Sequence, residues 1–341
     1  MNNFEILILD LHNTIYDEVM EYGLALEAAV DVWINALKAK NIIVSHDEIY
    51  AELATAHRLI GSDWDNEVWR YLPILKNAGF LQEEFEQNLI KAIDARLKTS
   101  HKLTLQGVYD NVVDSLKKFK NAGKRIYIVT EAVSDIAMQA LKWLDLTDVV
   151  SGVYTYPSKN PPQELANIYQ KTFPLGNDGK HLKKPSPILL AQVIIDYAKN
   201  QQKIPHNIEL EEIFDFVKDE SLALSEFDKS SPIQEEITQK LLLKNSEYKQ
   251  EIQNIMDNII YVGDSKFKDG IMSRNAGVKF AFAAYGKKIT KGSEAEFARS
   301  KDILYKATGW DKEIMRLTQE ASGAKAINNL IPDFYLENGL A

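Results

Sequence analysis

Five polar residues, spread along the sequence, are of types that could do chemistry together: Asp10, Thr130, Lys184, Asp264 and Asp269. Carboxylates supply the oxygen ligands that Mg²⁺ prefers. A hydroxyl and a lysine beside them could bind the oxygens of a phosphoryl group. Taken alone, Asp10 would more often be a helix cap than a catalytic group. The ordered set predicts a site that holds a divalent cation next to a phosphoryl group.

Short apolar runs position most of these residues. Asp10 follows the run at 4–9, Thr130 ends the run at 125–130, and Asp264 follows the run at 259–263. Runs of this length are typical of buried strands. Helical patterns alternate with them, which predicts an α/β fold with a parallel sheet and right-handed crossovers. Because parallel strands present their carboxyl ends at one edge, we expect these polar residues to meet there.

A long helical segment separates the first strand from the second. Residues 15–101 repeat apolar side chains at helical spacing and contain no strand pattern. We therefore predict two domains. One is a helical domain over residues 15–106, and the other is a core domain formed by residues 1–14 and 107–341.

Three later segments of the core complete the prediction. Residues 157–179 are rich in proline, glycine and polar residues and are predicted to be mainly a loop. Residues 200–258 are predicted to be a helical insertion, whose stretch 209–228 carries eight acidic residues and one basic residue. This insertion is either a solvated helical segment or an acidic surface for a protein partner. The last clear helix is predicted over 310–320.

The composition limits the class of protein. The 341 residues have a net charge of −9, which argues against a nucleic-acid partner bound through phosphate neutralisation. The sequence has no cysteine, so thiolate chemistry and zinc–thiolate sites are absent. It also has no signal peptide pattern and no apolar stretch long enough to span a membrane. We expect a cytoplasmic protein without a membrane partner; delivery into another cell stays an open alternative.

Four segments resemble the motifs of the haloacid dehalogenase-like (HAD) hydrolases. They are residues 10–14, which read Asp-Leu-His-Asn-Thr, residues 126–130, residues 184–187 and residues 263–269. The resemblance covers about residues 1–14, 107–199 and 259–286, and the helical segment is similar to the family's C1-type cap. It implies a Rossmann-like parallel sheet core with an inserted helical cap domain. The insertion at 200–258 has no counterpart in the family pattern.

The resemblance implies a role for each candidate residue in phosphoryl transfer. Asp10 would be the nucleophile that forms an aspartyl-phosphate. Thr130 would bind the phosphoryl oxygens. Lys184, which fits the pattern better than Lys183, would neutralise the nucleophile and the phosphate.

The resemblance also implies a Mg²⁺ site. Asp10 and Asp264 would be ligands, and Asp269 would bind the ion directly or through water. The backbone oxygen of His12 would be a further ligand. The implied activity is magnesium-dependent hydrolysis of a small phosphorylated metabolite. Dehalogenation and carbon–phosphorus cleavage are weaker alternatives. Dehalogenases of the family need no magnesium, and its phosphonate-cleaving members rely on a cap lysine, of which none stands out in this sequence.

His12 is the main departure from the family pattern. The phosphatases usually have a second aspartate at this position, as general acid and base. Either the imidazole does that work, or the aspartyl-phosphate forms and decays slowly, or the chain has lost catalysis. The last case would leave a HAD-fold binding protein that docks a partner through residues 200–258. Glu131 is a smaller departure, because a carboxylate beside an anion site is unfavourable unless it points away.

Overall fold

The computed structural model describes residues 4–60, 65–158, 169–176, 179, 181–218, 239–287 and 294–308. The chain divides into two compact units. The first unit is Met1–Ile15, Asp110–Lys287 and Glu320–Ala341, and the second is Tyr16–Tyr109 and Lys288–Gln319. None of the described helices is long and apolar enough to cross a membrane.

The strands of the first unit build two sheets. In chain order they are β1 Ile6–Leu9, β2 Arg125–Val133, β3 Gly152–Tyr156, β4 Tyr169–Thr172, β5 Phe214–Lys218, β6 Gln239–Leu243, β7 Ile259–Gly263 and β8 Lys279–Phe282. Six of them form a sheet in the order β4-β3-β2-β1-β7-β8, and every pair in it is parallel. The predicted α/β fold with a parallel sheet is therefore confirmed.

Helices make up most of the rest of the described chain. They are α1 Glu18–Ala39, α2 His46–Ile60, α3 Asp65–Val68, α4 Pro73–Lys76, α5 Gln82–Gln106, α6 Val112–Asn121, α7 Ser134–Trp143, α8 Ile188–Asn200, α9 Leu210–Ile213, α10 Lys249–Asp257, α11 Ile271–Asn275 and α12 Glu294–Ala307. In the first unit, α8 and α10 supply side chains to the core that covers the sheet. All residues of β1 and β7 are buried, as expected for central strands covered on both faces.

The predicted loop at 157–179 contains a strand that the sequence did not reveal. Strand β4 pairs in parallel with β3 at the edge of the sheet, and its side chains are exposed or half-buried. A short polar strand has no apolar run to signal it. Lys171 of β4 pairs with the buried carboxylate of Asp196 at 3.1 Å, and Tyr154 donates to the same carboxylate at 2.9 Å. Asp196 thus connects helix α8 both to the edge strand β4, through Lys171, and to its neighbour β3, through Tyr154.

The prediction of a purely helical insertion at 200–258 is wrong in one part. Strands β5 and β6 form an antiparallel pair, with α9 before it and α10 after it. The reason is an alternation of buried and exposed side chains: Phe214 and Leu241 are buried, whereas Asp215 and Leu242 are exposed. Residues 219–238, with part of the acidic stretch, lie outside the described residues. The protein partner of this insertion stays a prediction.

The described residues of the second unit form helices and the connections between them, and they contain no strand, apart from a single bridge between Tyr16 and Val108. Its core includes Trp33, whose ring lies 6.0 Å from that of Trp69. Helix α12 belongs to this unit, whereas the sequence predicts that all of 107–341 belongs to the core domain. The carbonyl oxygen of Ala307 lies 2.8 Å from His57 Nδ1. The helix predicted at 310–320 lies outside the described residues.

Candidate active site

The register of three neighbouring strands places the candidate residues at one edge of the sheet. Leu9 of β1 lies opposite Ile128 of β2 and Val262 of β7. The next residue, Asp10, continues the pairing, because its N–H donates to the Val262 oxygen at 2.9 Å. Thr130 and Asp264 come two residues after the partners of Leu9, so both lie just beyond Asp10 at the same edge.

Three carboxylates meet at this edge. Asp10, Asp264 and Asp269 each offer an oxygen, and these oxygens all lie within 4.8 Å of one another. An all-oxygen donor set is the kind that suits Mg²⁺ and does not favour softer metals. The residues present therefore fit the ion that the sequence resemblance implies.

Lys184 joins two of these carboxylates. Its Nζ lies 2.9 Å from Asp10 Oδ1 and 2.8 Å from Asp269 Oδ1, and the residue is 3% exposed. It also lies over the ring of Tyr261, 5.6 Å from the centroid. Burial alone would lower the pKa of Lys184, but the attraction of Asp10 and Asp269 raises it above the usual lysine value. The ammonium group is therefore charged at neutral pH.

The Asp10 oxygen that contacts Lys184 also accepts a backbone hydrogen bond. The Leu11 N–H donates to Asp10 Oδ1 at 2.8 Å. Burial raises the pKa of the Asp10 carboxyl, while the Lys184 ammonium opposes that rise. The lysine thus supports the ionised form, which is the form that can act as a nucleophile or bind a cation.

Asp269 is held by several donors. Its Oδ1 accepts from Lys184 and from the Tyr261 hydroxyl at 3.0 Å, and its Oδ2 accepts from the Ser265 N–H at 3.1 Å. It is 1% exposed. A Cβ atom on Gly263 would overlap the Asp269 carboxylate, so only glycine fits at the end of β7.

A second loop packs closely against the turn after Asp10. The Tyr285 hydroxyl donates to the Thr14 carbonyl oxygen at 2.9 Å. A Cβ atom on Gly286 would overlap the carbonyl oxygen of Asn13. The backbone of Asn13 has a positive φ of 53°. Sequence reasoning missed these two residues. A glycine after the last strand was the only signal of such a close approach.

Thr130 and Glu131 are consecutive residues in the last part of β2, which continues to Val133. Thr130 is 1% exposed, and its hydroxyl oxygen accepts the N–H of Ala132 at 3.2 Å, which leaves the hydroxyl proton for another acceptor. Glu131 pairs with Lys268 at 2.5 Å. Burial alone would raise the pKa of Glu131, but Lys268 lowers it below the usual value. Lys268 is a further site residue that sequence reasoning missed.

The six candidate residues are placed by observations of two kinds. Interatomic distances bring together Asp10, Lys184, Asp264 and Asp269. Thr130 and His12 are placed by the chain. Thr130 lies in β2, two residues after the partner of Leu9, and His12 lies two residues after Asp10. His12 is partly exposed. The role of each residue stays a prediction.

No family model and no curated protein matches the sequence. Several solved structures are similar to the chain. A candidate HAD-hydrolase, YfnB from Bacillus subtilis, was solved bound to magnesium; it is 14% identical, with 82% of this chain and 89% of that chain covered and a TM-score of 0.37. A 2-haloacid dehalogenase from Pseudomonas syringae pv. Tomato DC3000 is 13% identical. The match covers 89% of this chain and 98% of that chain, with a TM-score of 0.44. A candidate β-phosphoglucomutase from Thermotoga maritima is 14% identical. The match covers 88% of this chain and 97% of that chain, with a TM-score of 0.37. Identities this low do not assign the chain to a family.

Proposed function

We propose that this chain is a magnesium-dependent phosphatase of the HAD-like type, which hydrolyses a small phosphomonoester through an aspartyl-phosphate on Asp10. The observation that carries the proposal is the contact of the buried Lys184 ammonium with Asp10 and Asp269, beside Asp264. A plain structural ion pair would need one carboxylate. Three clustered carboxylates, two of which contact this lysine, leave an excess of negative charge, which a divalent cation would balance.

The proposed reaction has two displacement steps. An Asp10 carboxylate oxygen attacks phosphorus, and the bond from phosphorus to the leaving oxygen breaks. Water then attacks phosphorus, which releases inorganic phosphate and restores the Asp10 carboxylate. Lys184 favours the ionised form of Asp10, and the Thr130 hydroxyl donates to a phosphoryl oxygen. Asp10, the His12 carbonyl oxygen, Asp264 and Asp269 would hold Mg²⁺, which supplies positive charge against the phosphoryl oxygens.

The proton steps are assigned to His12. The departing alkoxide needs a proton, and the attacking water must lose one, so the same group can serve both steps. An imidazole suits this work because its unperturbed pKa is about 6.5. His12 follows Asp10 by two residues and is partly exposed, which is compatible with contact to a leaving group.

Phosphate release from a panel of substrates tests the activity. With Mg²⁺, the purified protein should hydrolyse p-nitrophenyl phosphate and one or more small alkyl phosphomonoesters. Excess EDTA should lower the rate by about 10²-fold or more, because charge stabilisation by the ion contributes several kcal/mol, and added Mg²⁺ should restore it. If no member of a broad panel releases phosphate in the presence of Mg²⁺, the proposal is wrong.

The role of His12 is tested by comparing leaving groups. The p-nitrophenolate ion can leave without being protonated, whereas an alkoxide must receive a proton as it leaves. His12→Ala should therefore lower turnover of alkyl phosphates by about 10²–10⁴-fold. With p-nitrophenyl phosphate it should give a burst of p-nitrophenol followed by slow turnover, because only the hydrolysis step lacks its base. His12→Asp should retain turnover of both substrates. Equal losses on both substrates, with no burst, would rule out an acid–base role.

A further inference from the structure

Glu131 lies at a junction of three segments that carry candidate site residues. Its two carboxylate oxygens have different partners: Oε1 accepts the backbone N–H of Lys184 at 3.2 Å, and Oε2 pairs with Lys268 Nζ at 2.5 Å. Glu131 directly follows Thr130, and Lys268 directly precedes Asp269. One carboxylate thus connects the end of β2, the Lys184 loop and the turn after β7.

The position of Lys184 depends on its backbone as well as on its side chain. Its Nζ must reach Asp10 and Asp269 at the same time, at 2.9 and 2.8 Å. The next residue, Pro185, has no N–H, so it offers no donor that could anchor the loop at that point. The bond from the Lys184 N–H to Glu131 fixes the loop one residue before the proline.

Lys268 balances the charge of Glu131. Without that ammonium, Glu131 would carry an unopposed negative charge at the segments that hold Lys184 and Asp269, near where a phosphoryl anion must bind. The Glu131 side chain is 25% exposed and that of Lys268 is 37% exposed, so solvent screens the pair only in part. The ion pair therefore turns an unfavourable carboxylate into a neutral connection.

We propose that Glu131 is a positioning residue that fixes Lys184 through its backbone, and that Lys268 is the counter-charge that makes Glu131 compatible with phosphate binding. This inference rests on the proposed phosphatase function. If Lys268 is the counter-charge of Glu131, the effect of Glu131 on substrate binding depends on Lys268. Glu131 should weaken substrate binding only when Lys268 is absent.

The test compares kcat and KM of Lys268→Met, Glu131→Gln and the double variant. Lys268→Met should raise KM about tenfold and affect kcat less, because it leaves a carboxylate charge unopposed near the anion. Adding Glu131→Gln to it should return KM to within about twofold of that of the single Glu131→Gln variant, since the glutamine carbonyl oxygen can still accept the Lys184 N–H. Glu131→Ala, which removes that acceptor, should lower kcat about 10–100-fold.

Lys244→Met is the matched control. Lys244 has a similar exposure, 38%, and pairs with Asp215 at 3.2 Å, on strand β5. The Lys244→Met variant should have the same KM as the wild-type protein. Calorimetric titration of inorganic phosphate in the presence of Mg²⁺ gives a second readout, in which Lys268→Met should weaken binding by the same factor as it raises KM.

Two results would overturn the inference in an active enzyme. One is a KM that stays raised when Glu131→Gln is added to Lys268→Met, because a general structural defect would not be reversed by a second substitution. The other is a Glu131→Ala variant with kcat within twofold of wild type. A wild-type protein that neither turns over substrate nor binds phosphate with Mg²⁺ would instead refute the proposed function on which the inference depends.

Discussion

Asp10→Asn is expected to reduce phosphate release by at least about 10⁴-fold while leaving the protein folded. The asparagine oxygen can still accept the Leu11 N–H that now donates to Asp10 Oδ1 at 2.8 Å. The amide is a poor nucleophile, however, so the phosphoryl group has no acceptor. The measurement is kcat on p-nitrophenyl phosphate, with circular dichroism to verify the fold.

Asp264→Asn separates loss of the nucleophile from loss of a cation ligand. Both residues belong to the same carboxylate cluster, so both variants should weaken Mg²⁺ binding. Only the Asp264→Asn variant should recover activity as the Mg²⁺ concentration is raised, because its nucleophile is intact. An Asp10→Asn variant that keeps more than a few per cent of wild-type turnover, or that Mg²⁺ rescues, would contradict the assigned role.

Lys184→Met should have the largest effect on stability. It leaves the Asp10 and Asp269 carboxylates without the ammonium that lies within 2.9 Å of both, and both lie in a largely buried environment. Removing one partner of such a group typically lowers the free energy of unfolding by about 3–5 kcal/mol. Turnover should fall by about 10²–10³-fold, because the variant also loses a positive charge beside the phosphoryl oxygens.

The stability loss should depend on pH in a defined direction. Burial already raises the pKa of Asp10, and Lys184 opposes that rise. Without the lysine, the pKa of Asp10 in the folded protein should move further above its unfolded value of about 3.9. The folded state then binds more protons than the unfolded state, so stability falls as pH rises. The deficit relative to wild type should therefore be smaller at about pH 5 than at about pH 7, as measured by urea unfolding.

The neighbouring lysine supplies the control. Lys183 is exposed, and its Nζ lies 5.9 Å from the ring centroid of Tyr156. Lys183→Met should change the free energy of unfolding by less than about 1 kcal/mol. If Lys183→Met and Lys184→Met lose similar stability and activity, the assignment of the site lysine is wrong.

The sequence was sufficient for the central strands, because burial on both faces imposes an apolar run that a single sequence displays. Strands β1 and β7 were predicted on this basis, and the polar residues after them meet at one edge. Strand β4 was missed because it lies at the edge of the sheet with exposed polar side chains. Strands β5 and β6 were missed because a two-residue alternation is hard to see within a charged segment.

The supporting residues of the site could not be predicted, since their roles depend on contacts between distant segments. Tyr261 lies within the apolar run at 259–263, which predicts only a buried strand, yet its hydroxyl donates to Asp269. Glu131 appeared unfavourable because its partner, Lys268, lies 137 residues later in the chain. Chemistry-bearing residues follow strand ends and are visible in sequence, whereas the groups that orient them are visible only in the folded chain.

Chemical trapping of the covalent intermediate tests the central claim most directly. The protein would be mixed with substrate and Mg²⁺, quenched, reduced with borohydride and digested for mass spectrometry, which converts an aspartyl-phosphate to homoserine. The proposed reaction predicts homoserine at position 10 only, with none in the Asp10→Asn variant or without substrate. Turnover of substrate with unmodified Asp10, or with the label on another residue, would contradict the account.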